Sequence, residues 1–136
     1  MVAALSNTGY AVGLRLTRLS LRTVGFRRTV ATMRSFPKPF ASHRSDNAAA
    51  VKWADAIVKV GGRPYGATCL DRSVFLWFLM NQRGLEGRIR IGAAFDGDRL
   101  EGHAWVEVDG NVVNDAPDIA ARFSVFDEDP TGMVFL

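Results

Sequence analysis

Cysteine is nearly absent from this chain, whose 136 residues include a single one, Cys69. One thiol excludes an intramolecular disulfide and any metal site built from several cysteines. Because an isolated cysteine is more often a small buried hydrophobe than a nucleophile, a catalytic role for Cys69 needs support from its surroundings. We predict neither a metal nor a cofactor.

Acidic residues are absent before Asp46, although this opening part holds eight basic residues. From Asp46 onward nine basic residues face all 14 acidic ones, so the rest of the chain carries about −5 formally. Arg15, Arg18 and Arg22 fall along one face of a helix, which a membrane surface, a nucleic acid or an acidic partner could contact. The other interpretation is a solvated face on a packed helix, and we expect no nucleic-acid partner.

Long apolar runs are also missing. No uncharged stretch approaches the roughly 18–20 residues that span a bilayer, and no secretory signal with a small-residue cleavage site is evident. A segment rich in Arg, Ser and Thr has the composition of an organelle transit peptide, which is a competing interpretation of positions 1–44. We expect a soluble, cytoplasmic protein.

The spacing of apolar residues predicts helices in the first part of the chain. They are expected at Tyr10–Met33 with a break near Gly25, at Ser45–Val60 with Ser45 or Asp46 as N-cap, and from Thr68 or Cys69 to Gly84. The third helix is apolar nearly all round and is therefore expected at the centre. Thr68 with Asp71 forms a capping-box-like pair at its start.

Strands are predicted in the second part. They are expected at Arg88–Phe95, Leu100–Val108, Asn111–Asp115 and Arg122–Phe126, with turns at Asp96-Gly97-Asp98 and Asp109-Gly110. The first three form an antiparallel meander. Helices followed by strands predict an α+β fold in which a buried helix packs on a small antiparallel sheet. We expect one domain over 1–136, with a basic helical region at 1–44 and a catalytic core at 62–126.

Cys69 is predicted at the N-terminus of the central helix. The unsatisfied N–H groups and the macrodipole at such a position favour a thiolate, which is the nucleophilic form. The same N–H groups suit an oxyanion hole. A thiol also needs a base, and the chain offers His43, in a proline-flanked linker, and His103, on a predicted strand. His103 shares its strand face with Trp105 and Glu107, and it is the better candidate.

A third group must orient the imidazole ring. Counting outward from the Asp109-Gly110 turn sets Asp115 opposite Ala104, one place from His103. Spacing alone leaves three competitors open, which are Asn114, Asp118 and Glu107.

Several short motifs in the second half of the chain resemble those of a known family, the transglutaminase-like proteins of lasso-peptide biosynthesis. The resemblance covers about Pro64–Phe126. It rests on Cys69-Leu70-Asp71-Arg72-Ser73, Arg83-Gly84-Leu85, Ile91-Gly92, His103-Ala104-Trp105-Val106-Glu107 and Asn114-Asp115. The opening helix also resembles the family's N-terminal region, which disfavours the transit-peptide interpretation.

The resemblance implies a transglutaminase-like, papain-like cysteine peptidase in the bacterial cytoplasm. Its triad would be Cys69, His103 and Asp115, and it would remove the leader from a ribosomally made precursor peptide through an acyl-enzyme. We add three candidate oxyanion or substrate residues, which are Tyr65, Arg63 and Trp105.

The same resemblance implies partners. This chain is similar to the stand-alone protease of the family, so a separate leader-recognition protein and an ATP-dependent macrolactam synthetase are expected beside the precursor. We do not expect membrane association. Two alternatives stay open: an acyltransferase that uses the same triad, and a catalytically inactive binding module with the same fold.

Overall fold

The computed structural model describes residues 7–36, 47–61 and 67–125. The helices in these ranges are α1 (Asn7–Thr23), α2 (Phe26–Ser35), α3 (Asn47–Gly61), α4 (Cys69–Gln82) and α5 (Ile119–Arg122). The strands are β1 (Arg88–Asp96), β2 (Arg99–Val108), β3 (Asn111–Val112) and β4 (Ser124–Val125). Four of the helices in these ranges precede the sheet, which agrees with the predicted α+β order.

A glycine separates α1 from α2, and the predicted break near Gly25 is confirmed. Gly25 has a φ of 92°, in the left-handed region that favours glycine. The hydroxyls of Ser20 and Thr29 hydrogen-bond across the break at 2.7 Å, which joins the two helices. No helix in the described part of the chain is long and apolar enough to cross a membrane.

The opening helix packs on the rest of the molecule. Tyr10, Leu14 and Thr17 of α1 are buried, and α1 contacts both α3 and α4. Arg15 and Arg22 are exposed on the other side. This arrangement agrees with the interpretation of a basic face on a packed helix.

The next helix, α3, follows its prediction closely. Trp53 and Ile57 lie on its buried side, and the helix packs against both α1 and α4. The two residues suggested as its N-cap, Ser45 and Asp46, lie outside the described residues.

The central helix is α4, on which α1, α2, α3, β1 and β2 all pack. Its buried residues are Asp71, Ser73, Val74, Phe75, Leu76, Trp77, Leu79 and Met80. Because burying one large apolar side chain stabilises a fold by roughly 1.5–3 kcal/mol, this helix is held firmly in place. The prediction of a central, buried helix is confirmed. The chain leaves it at Gly84, whose φ of 74° suits the residue after a helix.

The antiparallel sheet has the strand order β3-β2-β1-β4. Asp96 pairs with Arg99, so β1 and β2 form a hairpin with a two-residue turn. Asp109 and Gly110 have φ values of 51° and 80°, as in the tight turns that join two strands. This second turn pairs Val108 with Asn111, which is the predicted register.

Two strands are shorter than predicted. β3 ends at Val112 rather than Asp115, because the side-chain oxygen of Asn114 accepts the Val106 N–H at 2.8 Å. In a continued ladder the backbone carbonyl of Val113 would take that N–H. The last strand is confined to β4, since Arg122 ends the short helix α5, where it pairs with Asp118 at 3.0 Å. The end predicted for that strand, Phe126, lies outside the described residues.

The two faces of the β1–β2 hairpin differ in composition. Ile89, Val106 and Val108 belong to the hydrophobic core with α4. His103 and Trp105 lie on the opposite face, because side chains alternate along a strand. The predicted alternation is confirmed, but Trp105 is 0% exposed and is not part of an open polar surface.

Candidate active site

The N-terminus of α4 carries Cys69 as its first residue, and Thr68 is its N-cap. The Thr68 hydroxyl accepts the Asp71 N–H at 3.1 Å, and the Asp71 carboxylate accepts the Thr68 N–H at 3.0 Å. These reciprocal bonds form the predicted capping box. The Cys69 side chain is partly exposed, so a rigid helix end presents a thiol that a substrate can reach.

Two arginines support this helix end. The Arg72 guanidinium donates to the carbonyl of Ala67, just before the N-cap. The Nε atom of Arg18, on α1, lies 3.9 Å from the Asp71 carboxylate. Arg18 thus belongs to the support of α4, and one member of the predicted basic face has a local role. The backbone on both sides of Cys69 is fixed by side chains.

His103 and Asp115 lie together. The Nε2 atom of His103 is 2.6 Å from Oδ2 of Asp115. The other carboxylate oxygen of Asp115 accepts the Ala116 N–H at 2.8 Å, which fixes the orientation of the carboxylate. The two side chains are 24% and 26% exposed, so the pair stands at the surface without being fully solvated.

Each competitor for the third position has another partner. Glu107 accepts the indole N–H of Trp105 at 2.8 Å. Asp118 pairs with Arg122. The side chain of Asn114 bonds Val106 and Ser73. Of the four candidates that spacing left open, Asp115 is the one that contacts His103.

Two aromatic rings lie next to the His103 imidazole. Phe123 stacks on the imidazole with ring centroids 5.1 Å apart and planes 17° apart. Trp105 lies 5.9 Å away at a tilt of 32°. The sequence predicted a strand at Phe123 and gave no sign of this contact. No local pattern indicates that a residue just before the last strand will pack on His103.

Gly92 makes room for Phe123. A Cβ atom at Gly92 would lie 2.8 Å from the Cβ of Phe123, closer than such atoms approach, and 3.2 Å from the carbonyl oxygen of Ser124. Gly92 pairs with His103 on one side and Val125 on the other. The missing side chain therefore allows β4 and Phe123 to sit against the strand next to His103.

The other predicted site residues fall into two groups. Trp105 is fully buried and bonded to Glu107, so it offers no surface to a substrate, and we remove it from the candidate substrate contacts. Tyr65, Arg63 and the alternative base His43 lie outside the described residues.

A cleft opens beside Phe123. Its volume is about 430 Å³, and it lies between the β1–β2 hairpin and the segment formed by α5 and β4. Phe95 and Leu100 in its wall are 75% and 64% exposed. Since Phe123 contacts both the cleft and His103, an extended chain bound there would lie one ring away from the imidazole.

Within the described residues, no group of three or more His, Cys, Asp or Glu side chains is arranged to hold a metal ion. The candidate groups of the site are the thiol at the start of α4 and the pair formed by the His103 imidazole and the Asp115 carboxylate. A thiol and an imidazole with an orienting carboxylate are the group types that nucleophilic catalysis uses.

Comparisons with known proteins identify the family. A profile of the transglutaminase-like superfamily matches residues 12–127. The chain belongs to this superfamily. Its transglutaminase-like region includes Cys69, His103 and Asp115, and membership agrees with the α+β architecture.

A curated protein is similar to this chain over part of its length. The Microcin J25-processing protein McjB of Escherichia coli is 34% identical over 64 residues. These residues are 47% of this chain and 30% of the relative, so the match spans about a third of that protein. No solved structure gives a significant match.

Proposed function

We propose that this protein is a cysteine peptidase that removes the leader from a ribosomally made lasso-peptide precursor. The observation that carries the proposal is the 2.6 Å contact between His103 and Asp115. It supplies an oriented imidazole in a chain whose single thiol stands at a capped helix N-terminus. The likeness to a microcin-processing protein supports the choice of substrate.

The proposed reaction begins at Cys69. Its thiolate attacks the carbonyl carbon at the leader–core junction, and a C–S bond forms. The imidazolium of His103 gives its proton to the nitrogen of the core peptide, and the C–N bond breaks. Water then attacks the thioester while His103 accepts its proton, and the C–S bond breaks to return the Cys69 thiolate. The leader leaves with a new carboxylate.

In this proposal the two imidazole nitrogens have different tasks. Because Nε2 faces Asp115, the Nδ1 atom is the one that would exchange a proton with the thiol and the leaving nitrogen. Asp115 holds the ring in this orientation. The backbone N–H groups at the start of α4 would bind the oxyanion, and Arg63 or Tyr65 stays a prediction as the second donor.

The substrate would lie in the cleft beside Phe123. Its apolar wall suits side chains near the cleaved bond, and its open side accepts an extended peptide. A separate recognition protein would hold the leader, and a macrolactam synthetase would receive the core. We place the reaction in the cytoplasm. These partners and this location come from the family resemblance and are part of the proposal.

The test is incubation of a precursor peptide with the protein, with and without the recognition protein, in water enriched in ¹⁸O. Wild type should yield two fragments, and the leader fragment should carry ¹⁸O in its new carboxylate. Cys69→Ala should yield none. Ser20→Ala, which changes a contact between α1 and α2, is the matched control and should cleave normally.

Three results would contradict the proposal. Cleavage by Cys69→Ala would exclude the thiol as nucleophile. In a parallel reaction with a primary amine added, leader joined to that amine and free of ¹⁸O would favour acyl transfer. Slow alkylation of Cys69 that is the same in His103→Ala would favour a binding module without catalysis.

A further inference from the structure

We infer that Asn114 is a positioning residue for the triad proposed above, and the inference rests on that proposal. Its carboxamide bonds the two elements that carry Cys69 and His103. Oδ1 accepts the Val106 N–H at 2.8 Å, and Nδ2 donates to the Ser73 hydroxyl at 3.1 Å. Asn114 also directly precedes Asp115 in the chain. One planar group thus connects the supports of all three side chains.

Ser73 is the attachment on the helix. It follows Cys69 by four positions, about one helical turn, so the two residues share a face of α4. Ser73 is 0% exposed, so its hydroxyl meets Asn114 inside the molecule. Because Asn114 also bonds Val106, it links the first turn of α4 to strand β2.

Val106 is the attachment on the sheet, three residues after His103 on β2. While its N–H bonds the Asn114 side chain, its carbonyl accepts the Val113 N–H at 3.0 Å. The segment leading to Asp115 is thereby fastened to the strand that carries His103. The Asn114 side chain thus takes the Val106 N–H in place of the Val113 carbonyl, while the other ladder bond of this pair is kept.

The chemistry of the side chain explains why an amide is needed here. A carboxamide offers an acceptor and a donor on one short group, whereas a carboxylate has no donor. A nucleophile and its base must stay within hydrogen-bond reach, and small displacements reduce rates strongly. Loss of the Ser73 bond should loosen Cys69 relative to His103 while every triad residue remains present.

The decisive variant is Ser73→Ala, which removes the helix attachment and leaves the bond to Val106. We would measure alkylation of Cys69 by iodoacetamide from about pH 5 to 9. The comparison includes wild type, His103→Ala and the control Ser20→Ala, which removes a hydroxyl that bonds Thr29 between α1 and α2. Near pH 6 we expect Ser73→Ala to react about tenfold more slowly than wild type. The alkylation rate of Ser73→Ala should approach that of His103→Ala, while the rate of Ser20→Ala should equal that of wild type.

A second variant, Asn114→Ala, removes both bonds and should lower the rate at least as much. In precursor cleavage both variants should lose kcat with KM unchanged, because neither side chain lines the cleft proposed for the substrate. Denaturant unfolding shows whether each variant is folded. If Asn114→Ala does not fold, the result with Ser73→Ala is sufficient to test the inference.

Two outcomes would overturn the inference, and they differ. If Ser73→Ala keeps the wild-type pH profile and is merely less stable, Asn114 is a structural tie without influence on the triad. If wild type and His103→Ala share one profile, the triad itself is wrong, and a positioning role for it falls too.

Discussion

The two faces of the β1–β2 hairpin are held in different ways. The face toward α4 is apolar, and Ile89 and Val106 in it are 0% exposed. The opposite face relies on directed contacts, which include the bond from His103 to Asp115 and the stack of Phe123 on His103. Burial depends mainly on area, whereas hydrogen bonds and ring stacks depend on distance and angle. We therefore expect changes on the inner face to alter stability and changes on the outer face to alter the reaction.

The largest effect is expected from Asp115→Ala. Without the carboxylate the His103 ring loses its orienting partner, and precursor cleavage should slow by about 10²- to 10⁴-fold while the thermal midpoint changes little. On the inner face, Ile89→Val should lower the free energy of unfolding by about 0.5–1.5 kcal/mol and leave kcat unchanged. Similar losses of activity in the two variants would end the distinction between the faces.

A smaller effect, on both properties, is expected from Gly92→Ala. The new methyl group would displace Phe123 and β4, which should cost about 1–3 kcal/mol of stability and reduce cleavage together with it. The matched control is Gly102→Ala on the neighbouring strand, where nothing lies within 4 Å of an added Cβ. Circular dichroism melting and single-turnover cleavage measure the two properties. Full activity in Gly92→Ala would show that the stack on His103 is dispensable.

The smallest effect should come from Tyr10→Phe, in the core formed by the helices. Burial raises the pKa of Tyr10, and the nearby positive charge of Arg83 offsets this only in part. Above about pH 10 the unfolded chain releases this proton while the folded chain retains it, so wild type loses stability as pH rises. The Tyr10→Phe variant should lose less stability over the same pH range.

Unfolding by urea at about pH 8 and 10.5 tests this expectation. The two proteins should differ by more at the higher pH. Equal losses of stability in both proteins would mean that burial of Tyr10 does not cause the loss of stability at alkaline pH.

Local patterns predicted much of the fold. The capping box of Thr68 and Asp71 and the break at Gly25 are encoded within a few residues. The register after Asp109-Gly110 follows from the type of turn. Such features depend on neighbours in the chain, and a reader of the sequence can see them.

Contacts between distant segments were predicted less well. Spacing brought Asp115 near His103 but did not separate it from its competitors, since their other partners are visible only in three dimensions. The stack of Phe123 requires the missing side chain of Gly92. The early end of β3 requires the amide of Asn114. Each of these joins segments whose relation the local pattern does not encode.

The tight turn at Asp109-Gly110 has a consequence for how the chain can change in length. His103 and Asp115 are 12 positions apart and lie on opposite sides of this turn. One inserted residue would shift the pairing and carry the carboxylate away from the ring. The turn at Gly97-Asp98 lies at the far end of the hairpin and has no such restriction. The protein should therefore tolerate insertions at Gly97-Asp98 and lose activity with insertions at Asp109-Gly110. The number of residues between His103 and Asp115 is thus expected to be fixed.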